Sequence, residues 1–164
     1  MPDPSLQSIF DRLSRDLARD TLIQTTTDEL RKTLNADRLV LYYFYYEWSG
    51  RVTFESLSDP KFSILGDSGP DECFNGEYAK LYEDGRVRAI TNIESEPIQP
   101  CHRDFLRQIE VKSNLVVPVL IDRGLWGLLV AHQCQSIYAW SPAEITAMQT
   151  GAIKLAMSDS IKNS

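Results

Sequence analysis

The sequence predicts an α+β domain: one mostly antiparallel sheet, with terminal helices on one face and a ligand pocket among loops on the other. Three observations carry this. Apolar residues recur at helical spacing at both ends of the chain. Between them, β-branched and aromatic runs are joined by short turns, as in hairpins. The order helix, helix, hairpin, loop, strand, helix, hairpin, helix describes a layered domain with a single core.

Met1 to Pro4 read as a frayed lead-in. Leu6, Ile9, Phe10, Leu13 and Leu17 form the stripe of a first helix, and Leu22, Ile23, Thr26, Leu30 and Leu34 that of a second, capped by Asp20. Arg38 to Tyr46 (RLVLYYFYY) reads as a central strand, and Val52 to Ser56 returns after a turn at Ser49-Gly50. From Leu57 to Asn75, turn formers dominate, giving a loop long enough to suggest function. Glu77 to Glu83 predicts a short helix ended by Gly85, and Arg86 to Ile93 a short strand. Cys101 to Val111 predicts a helix with Phe105, Leu106 and Ile109 on one face. Asn114 to Ile121 is a strand in which Pro118 requires an edge or a bulge. Asp122-Arg123-Gly124 turns the chain into Leu125 to Gln133, apolar enough to be buried on both faces. Ser141-Pro142-Ala143-Glu144 starts the last helix with a cap, a first-turn proline and an acid, and Ile145, Met148, Ala152, Leu155 and Ala156 carry its stripe.

The 164 residues, 43% hydrophobic and 24% charged, suit one globular domain spanning residues 1–164. A net charge of −6 with scattered lysines and arginines argues against nucleic acid or an anionic membrane as the main partner. No basic segment leads into an apolar stretch, and no run of about eighteen apolar residues occurs, so a soluble, cytoplasmic chain is expected. Cys73, Cys101 and Cys134 are odd in number and widely spaced. They suggest free thiols in a reducing compartment, and the lack of a CxxC pair argues against structural zinc.

Three stretches carry chemistry. In Pro100-Cys101-His102 a soft nucleophile sits beside an imidazole at a helix start, where the helix dipole favours a thiolate. Cys73 lies in Asp71-Glu72-Cys73-Phe74, in the long loop, where a thiol can approach and leave a ligand. Asp71 offers an acceptor for ligand N–H groups. His132 follows an apolar strand and needs a polar partner. The three stretches are expected to converge on one large ligand.

Asp37-Arg38-Leu39-Val40-Leu41-Tyr42, Cys101-His102 with Phe105-Leu106, Asn114 to Pro118, and Leu125 to His132 occur in an order and spacing that resemble a phytochrome-superfamily GAF domain, specifically a cyanobacteriochrome. The likeness runs from about Leu6 to Met157, and Asp71 to Phe74 matches the DXCF motif of one subfamily. The resemblance implies a covalent linear tetrapyrrole (bilin), phycocyanobilin or its isomer phycoviolobilin, anchored by a thioether to Cys101 with His102 packed against its rings. It implies a second, reversible thioether from Cys73 to the central methine bridge, and His132 against the terminal D-ring that rotates in light. The expected output is a switch between a blue- or violet-absorbing state and a green-absorbing one, without enzymatic turnover. Phe74 and Tyr78 are expected bilin contacts, together with Trp48 and Tyr82.

Bilin propionates need cations, and Arg38 is the arginine of the first-strand motif, with Arg103, Lys80 and Arg88 as alternatives. Related domains often read YRF where this chain has Tyr42-Tyr43-Phe44, which removes one expected propionate partner. An output domain elsewhere in a longer protein is expected, and the terminal helices could support a homodimer. Two other readings compete. A GAF domain binding a small effector non-covalently leaves the DXCF run unexplained, and a cysteine-dependent methionine sulfoxide reductase needs two thiols in mutual reach.

Overall fold

The computed structural model describes residues 4–46, 48–69 and 76–164. Helices α1 (Pro4–Arg19) and α2 (Thr21–Leu34) lead into strands β1 (Arg38–Tyr46) and β2 (Ser49–Leu57) and a 3₁₀ turn at Pro60–Phe62. Then follow α3 (Gly76–Glu83), β3 (Arg88–Ile90), α4 (Pro100–Gln108), β4 (Ser113–Ile121), β5 (Gly124–Gln133), α5 (Pro142–Ala156) and α6 (Asp159–Lys162). The helix breaks follow local chemistry. Asp20 accepts from the backbone N–H groups of Leu22 and Ile23 to start α2, and Asn35 ends it in the left-handed region. Ser141 and Glu144 close a capping box at the start of α5.

The five strands run in the order β2-β1-β5-β4-β3, with every pairing antiparallel. The expected fold class is therefore the observed one. β5, not β1, is the middle strand. The expected Arg86–Ile93 strand contracts to Arg88–Ile90, which pairs only with Asn114–Val116. Pro118 therefore lies beyond the end of β3, bonded through β5 on one side alone, and its missing N–H breaks no ladder. The expected turn at Ser49-Gly50 is instead the first part of β2. The irregular stretch after β2 folds back on that edge strand: Gly66 donates to the Val52 carbonyl and Val52 donates to that of Asp67, at 2.9 and 3.0 Å.

Alternation divides the sheet. Leu39, Leu41, Leu115, Val117, Leu129 and Ala131 pack with Leu17, Ile23, Leu34, Met148 and Leu155 of the terminal helices. Val40, Phe44, Val116, Leu128 and Val130 face the other way, with Tyr82, Leu106 and Ile109. Two glycines permit close approaches. A Cβ on Gly127 would meet the Tyr42 carbonyl oxygen at 2.1 Å, and one on Gly151 would meet Leu30 at 2.8 Å. The first is where β5 joins β1, and the second is where α5 crosses α2.

Candidate functional site

The second face of the sheet is a cavity wall. A cavity of about 320 Å³ lies between Val40, Tyr42, Val116, Leu128 and Val130 on the strands and Tyr78, Tyr82, Phe105 and Leu106 on α3 and α4. That volume falls at the lower end of the range of small-molecule sites. His102, His132, Asn114, Arg86 and Arg88 interrupt its apolar lining. Trp48 closes in on Phe44 edge-to-face, with ring centroids 5.3 Å apart.

Cys101 is exposed at the second position of α4, after Pro100 at the first. Proline there gives up only an N–H that a helix start leaves unpaired, and the free N–H groups of that turn favour a thiolate. Cys101 is disulfide-bonded, a correction to the expectation of free thiols, so its sulfur reacts only after reduction. Cys134 is free and buried, and burial pushes its thiol pKa up. The next residue, His102, turns into the cavity. Burial, then the guanidinium groups of Arg88 and Arg86, push its pKa down to about 4, so it is neutral at physiological pH.

His132 is 3% exposed. Burial first, then Arg38 and His102, hold it well below the usual imidazole range. Its Nδ1 accepts from Arg38 Nε at 3.0 Å. The two remaining guanidinium nitrogens of Arg38 donate to the carbonyls of Phe62 and Ile109 at 2.7 and 2.8 Å. Arg38 therefore does not fit the expected propionate role: it is 2% exposed, does not line the cavity, and spends its donors on the protein. Its neighbour Asp37 is equally committed, accepting from the backbone N–H of Cys134 at 2.7 Å and of Gln135 at 3.1 Å.

Of the alternative cations, Arg103 donates to the Ile93 and Glu96 carbonyls and Lys80 pairs with Asp84, so both are occupied structurally. Arg88 lines the cavity with a buried Nε that has no partner. Arg86 lines it too, stacked over Tyr82; from the sequence it is only the first residue of the expected strand, with no role given to it. Tyr43, where an arginine was expected, packs against Trp126 with the helix-side core. Its identity removes nothing from the cavity.

The structure thus brings His102, His132, Tyr78, Trp48 and Tyr82 to one cavity and leaves Arg38 behind its wall. Asp71, Cys73 and Phe74 lie outside the described residues. The chain reaches that segment from Gly69, whose N–H donates to the Tyr42 hydroxyl at 2.8 Å, and leaves it at Gly76; Gly69 and Tyr78 both line the cavity. Asn114 was not singled out, although a polar residue in phase with Val116 on an apolar strand signals the same face. Among the described residues, no cluster of His, Cys, Asp or Glu could hold a metal ion, and no helix is long and apolar enough to cross a membrane.

The GAF-domain family model matches residues 18–158. An uncharacterized protein of Picosynechococcus is 47% identical over 95% of this chain and 96% of its own length. A putative methyl-accepting chemotaxis protein of Synechocystis is 34% identical over 85% of the chain, which spans only 14% of that protein. Among solved structures, the blue-light-absorbing form of the PixJ GAF domain from Thermosynechococcus elongatus has a TM-score of 0.75 at 32% identity, covering 87% of this chain and 86% of that one. The phycocyanobilin-bound GAF domain of a cyanobacterial phytochrome has a TM-score of 0.73 at 28% identity, covering 94% and 93%.

Proposed function

This chain belongs to the GAF-domain family, and from that premise we propose that it is a bilin-binding photoreceptor domain of the cyanobacteriochrome type. The observation that carries the reading is the cavity itself: an apolar slot flanked by aromatic residues, with two neutral histidines and two arginines, and with a helix-start cysteine, Cys101, between its lining residues Pro100 and His102. A linear tetrapyrrole needs that combination of a long apolar surface, polar ring edges and anionic propionates. Likeness to the PixJ and phycocyanobilin-bound GAF domains supports the same ligand class.

Each residue then has a task. Once a thiol reductant has taken up the disulfide's other half and released its sulfur, the Cys101 thiolate adds to an electron-poor side-chain double bond of the pigment: a C–S bond forms, the π bond is consumed, and the adjacent carbon takes a proton. His102 packs against the ring system as a neutral donor and acceptor, and Arg86 and Arg88 pair with the propionates. Cys73 adds reversibly at the central methine bridge, which splits the conjugated system and moves absorption to the blue; Asp71 accepts from pyrrole N–H groups and Phe74 packs on a ring. Phycocyanobilin, wholly or partly isomerised to phycoviolobilin, is the proposed pigment. Light rotates the terminal ring against His132, and the domain carries signal without turnover, in the cytoplasm, to an output domain of a larger protein. Residues 1–164 act as one photosensory unit, with the terminal helices as its route to neighbours or to a second copy.

Coexpression with a bilin pathway, followed by reduction, denaturation and gel electrophoresis, tests the anchor. Pigment should remain bound to wild type and be lost from Cys101→Ala. Cys73→Ala should keep its pigment and lose the blue-absorbing state; an unchanged photocycle there removes the second linkage. A wild-type chain that retains no pigment returns the reading to a non-covalent effector domain.

A further inference from the structure

A row of buried polar side chains crosses the cavity wall. β1, β5 and β4 are in register, with Arg38 opposite His132 and His132 opposite Asn114, and the three are 2%, 3% and 2% exposed. The next row facing the cavity is Val40-Val130-Val116. A polar row set against valines is costly unless its groups find partners. Arginine has no acceptor, so the hydrogen bond from Arg38 Nε requires an unprotonated Nδ1 on His132 and places the ring hydrogen on Nε2. On the neighbouring strand, Asn114 Oδ1 is buried without a partner. The wall thus carries a histidine N–H and an unpartnered amide oxygen on adjacent strands, on residues whose Cβ atoms lie roughly 5 Å apart as directly opposed cross-strand neighbours do.

We propose that Arg38, His132 and Asn114 form a lactam-reading site. His132 Nε2–H donates to a ring carbonyl, Asn114 Oδ1 accepts from the adjacent ring N–H, and Arg38 is the positioning residue that fixes the histidine tautomer. A lactam carries a carbonyl and an N–H on neighbouring atoms of one edge, the complement of this pair; a lactone or an ether lacks the N–H and leaves Asn114 unpaired. The inference rests on the bilin reading, since a linear tetrapyrrole ends in lactam rings. Beyond the His132 contact that the family resemblance implies, it adds Asn114 as the group that reads the ring N–H and Arg38 as the reason His132 can only donate. It also explains why an arginine is buried where it reaches no ligand.

Two measurements test it. Histidine ¹⁵N NMR of the pigment-free protein at neutral pH should show His132 protonated at Nε2 alone, and both tautomers in Arg38→Met, or in Arg38→Lys if the methionine variant does not fold. A wild-type ring protonated at Nδ1, or a variant with the wild-type tautomer, overturns the role of Arg38 whether or not bilin binds. In pigment-loaded protein, Asn114→Leu should keep covalent pigment, shift the terminal-ring N–H resonance upfield and change dark reversion by about fivefold, the scale of one hydrogen bond. An unmoved N–H resonance overturns the role of Asn114. A wild type that holds no bilin overturns the lactam assignment together with the function, while the tautomer result still decides the role of Arg38.

Discussion

On the helix-covered face of the sheet, Leu39, Leu41, Leu115, Val117, Leu129 and Ala131 are each 0% exposed, whereas on the opposite face Val40, Val116, Leu128 and Val130 keep 3–8% and wall a cavity of about 320 Å³. The residues alternate along the same strands, so neighbours in sequence serve different ends. One face is filled to the density of a protein interior, and its side chains contribute stability through transfer from water and close packing. The other leaves space and places polar groups in it, which costs stability when the cavity is unfilled. Adjacent leucines on β5 therefore differ in what they hold together.

The largest test of that contrast is Leu129→Ala, which should destabilise the pigment-free protein by about 2–5 kcal/mol in urea unfolding. Its neighbour Leu128→Ala enlarges a space that already exists and should cost only the transfer part, about 2 kcal/mol, at the bottom of that range. Equal costs would mean that the cavity face is packed as tightly as the helix face.

Acid sharpens the comparison from the cavity side. The pKa of His102 is about 4 when folded and about 6.5 when unfolded. Above that unfolded value neither state gains a proton and the group is neutral to stability. Between pH 6.5 and 4 the unfolded chain takes up the proton first, so stability falls with pH, by at most about 3 kcal/mol. His102→Gln should flatten this part of a plot of urea midpoint against pH. An unchanged slope would show that His102 is not the group being titrated.

On the helix layer, Ser141→Ala removes one half of the capping box and should cost about 1 kcal/mol, with no effect on pigment attachment or spectrum. A spectral change in that variant would mean that the two faces are coupled. Smallest of all is Lys80→Ala, which breaks an exposed, solvent-screened pair with Asp84 and should leave the urea midpoint indistinguishable from that of wild type.

Much of this was legible in the residues. The stripe Leu13-Leu17 and the alternation of Leu39, Val40 and Leu41 assign faces because side-chain direction follows backbone period. Asp20 and Ser141 mark helix starts because a cap is a bond between close neighbours. Cys101-His102 at a helix start announces reactive chemistry for the same local reason. Arg38 was misjudged because its motif announces a charge and not the direction of that charge. Arg86 was missed because nothing nearby in sequence says which of several polar side chains will share a cavity; for Asn114 its phase with Val116 gives the face but not the partner.

What the sequence determined by itself was the set of elements, their order, their two faces and the residues able to react. The tertiary structure decided the strand order β2-β1-β5-β4-β3, the row that joins Arg38 to His132 across 94 positions, and which arginines meet the cavity. The division has a physical cause. Periodicity, capping and turns act over a few residues and leave a readable pattern. Strand register and hydrogen-bond partners are settled between distant segments, when buried polar groups must find each other or remain unpaired.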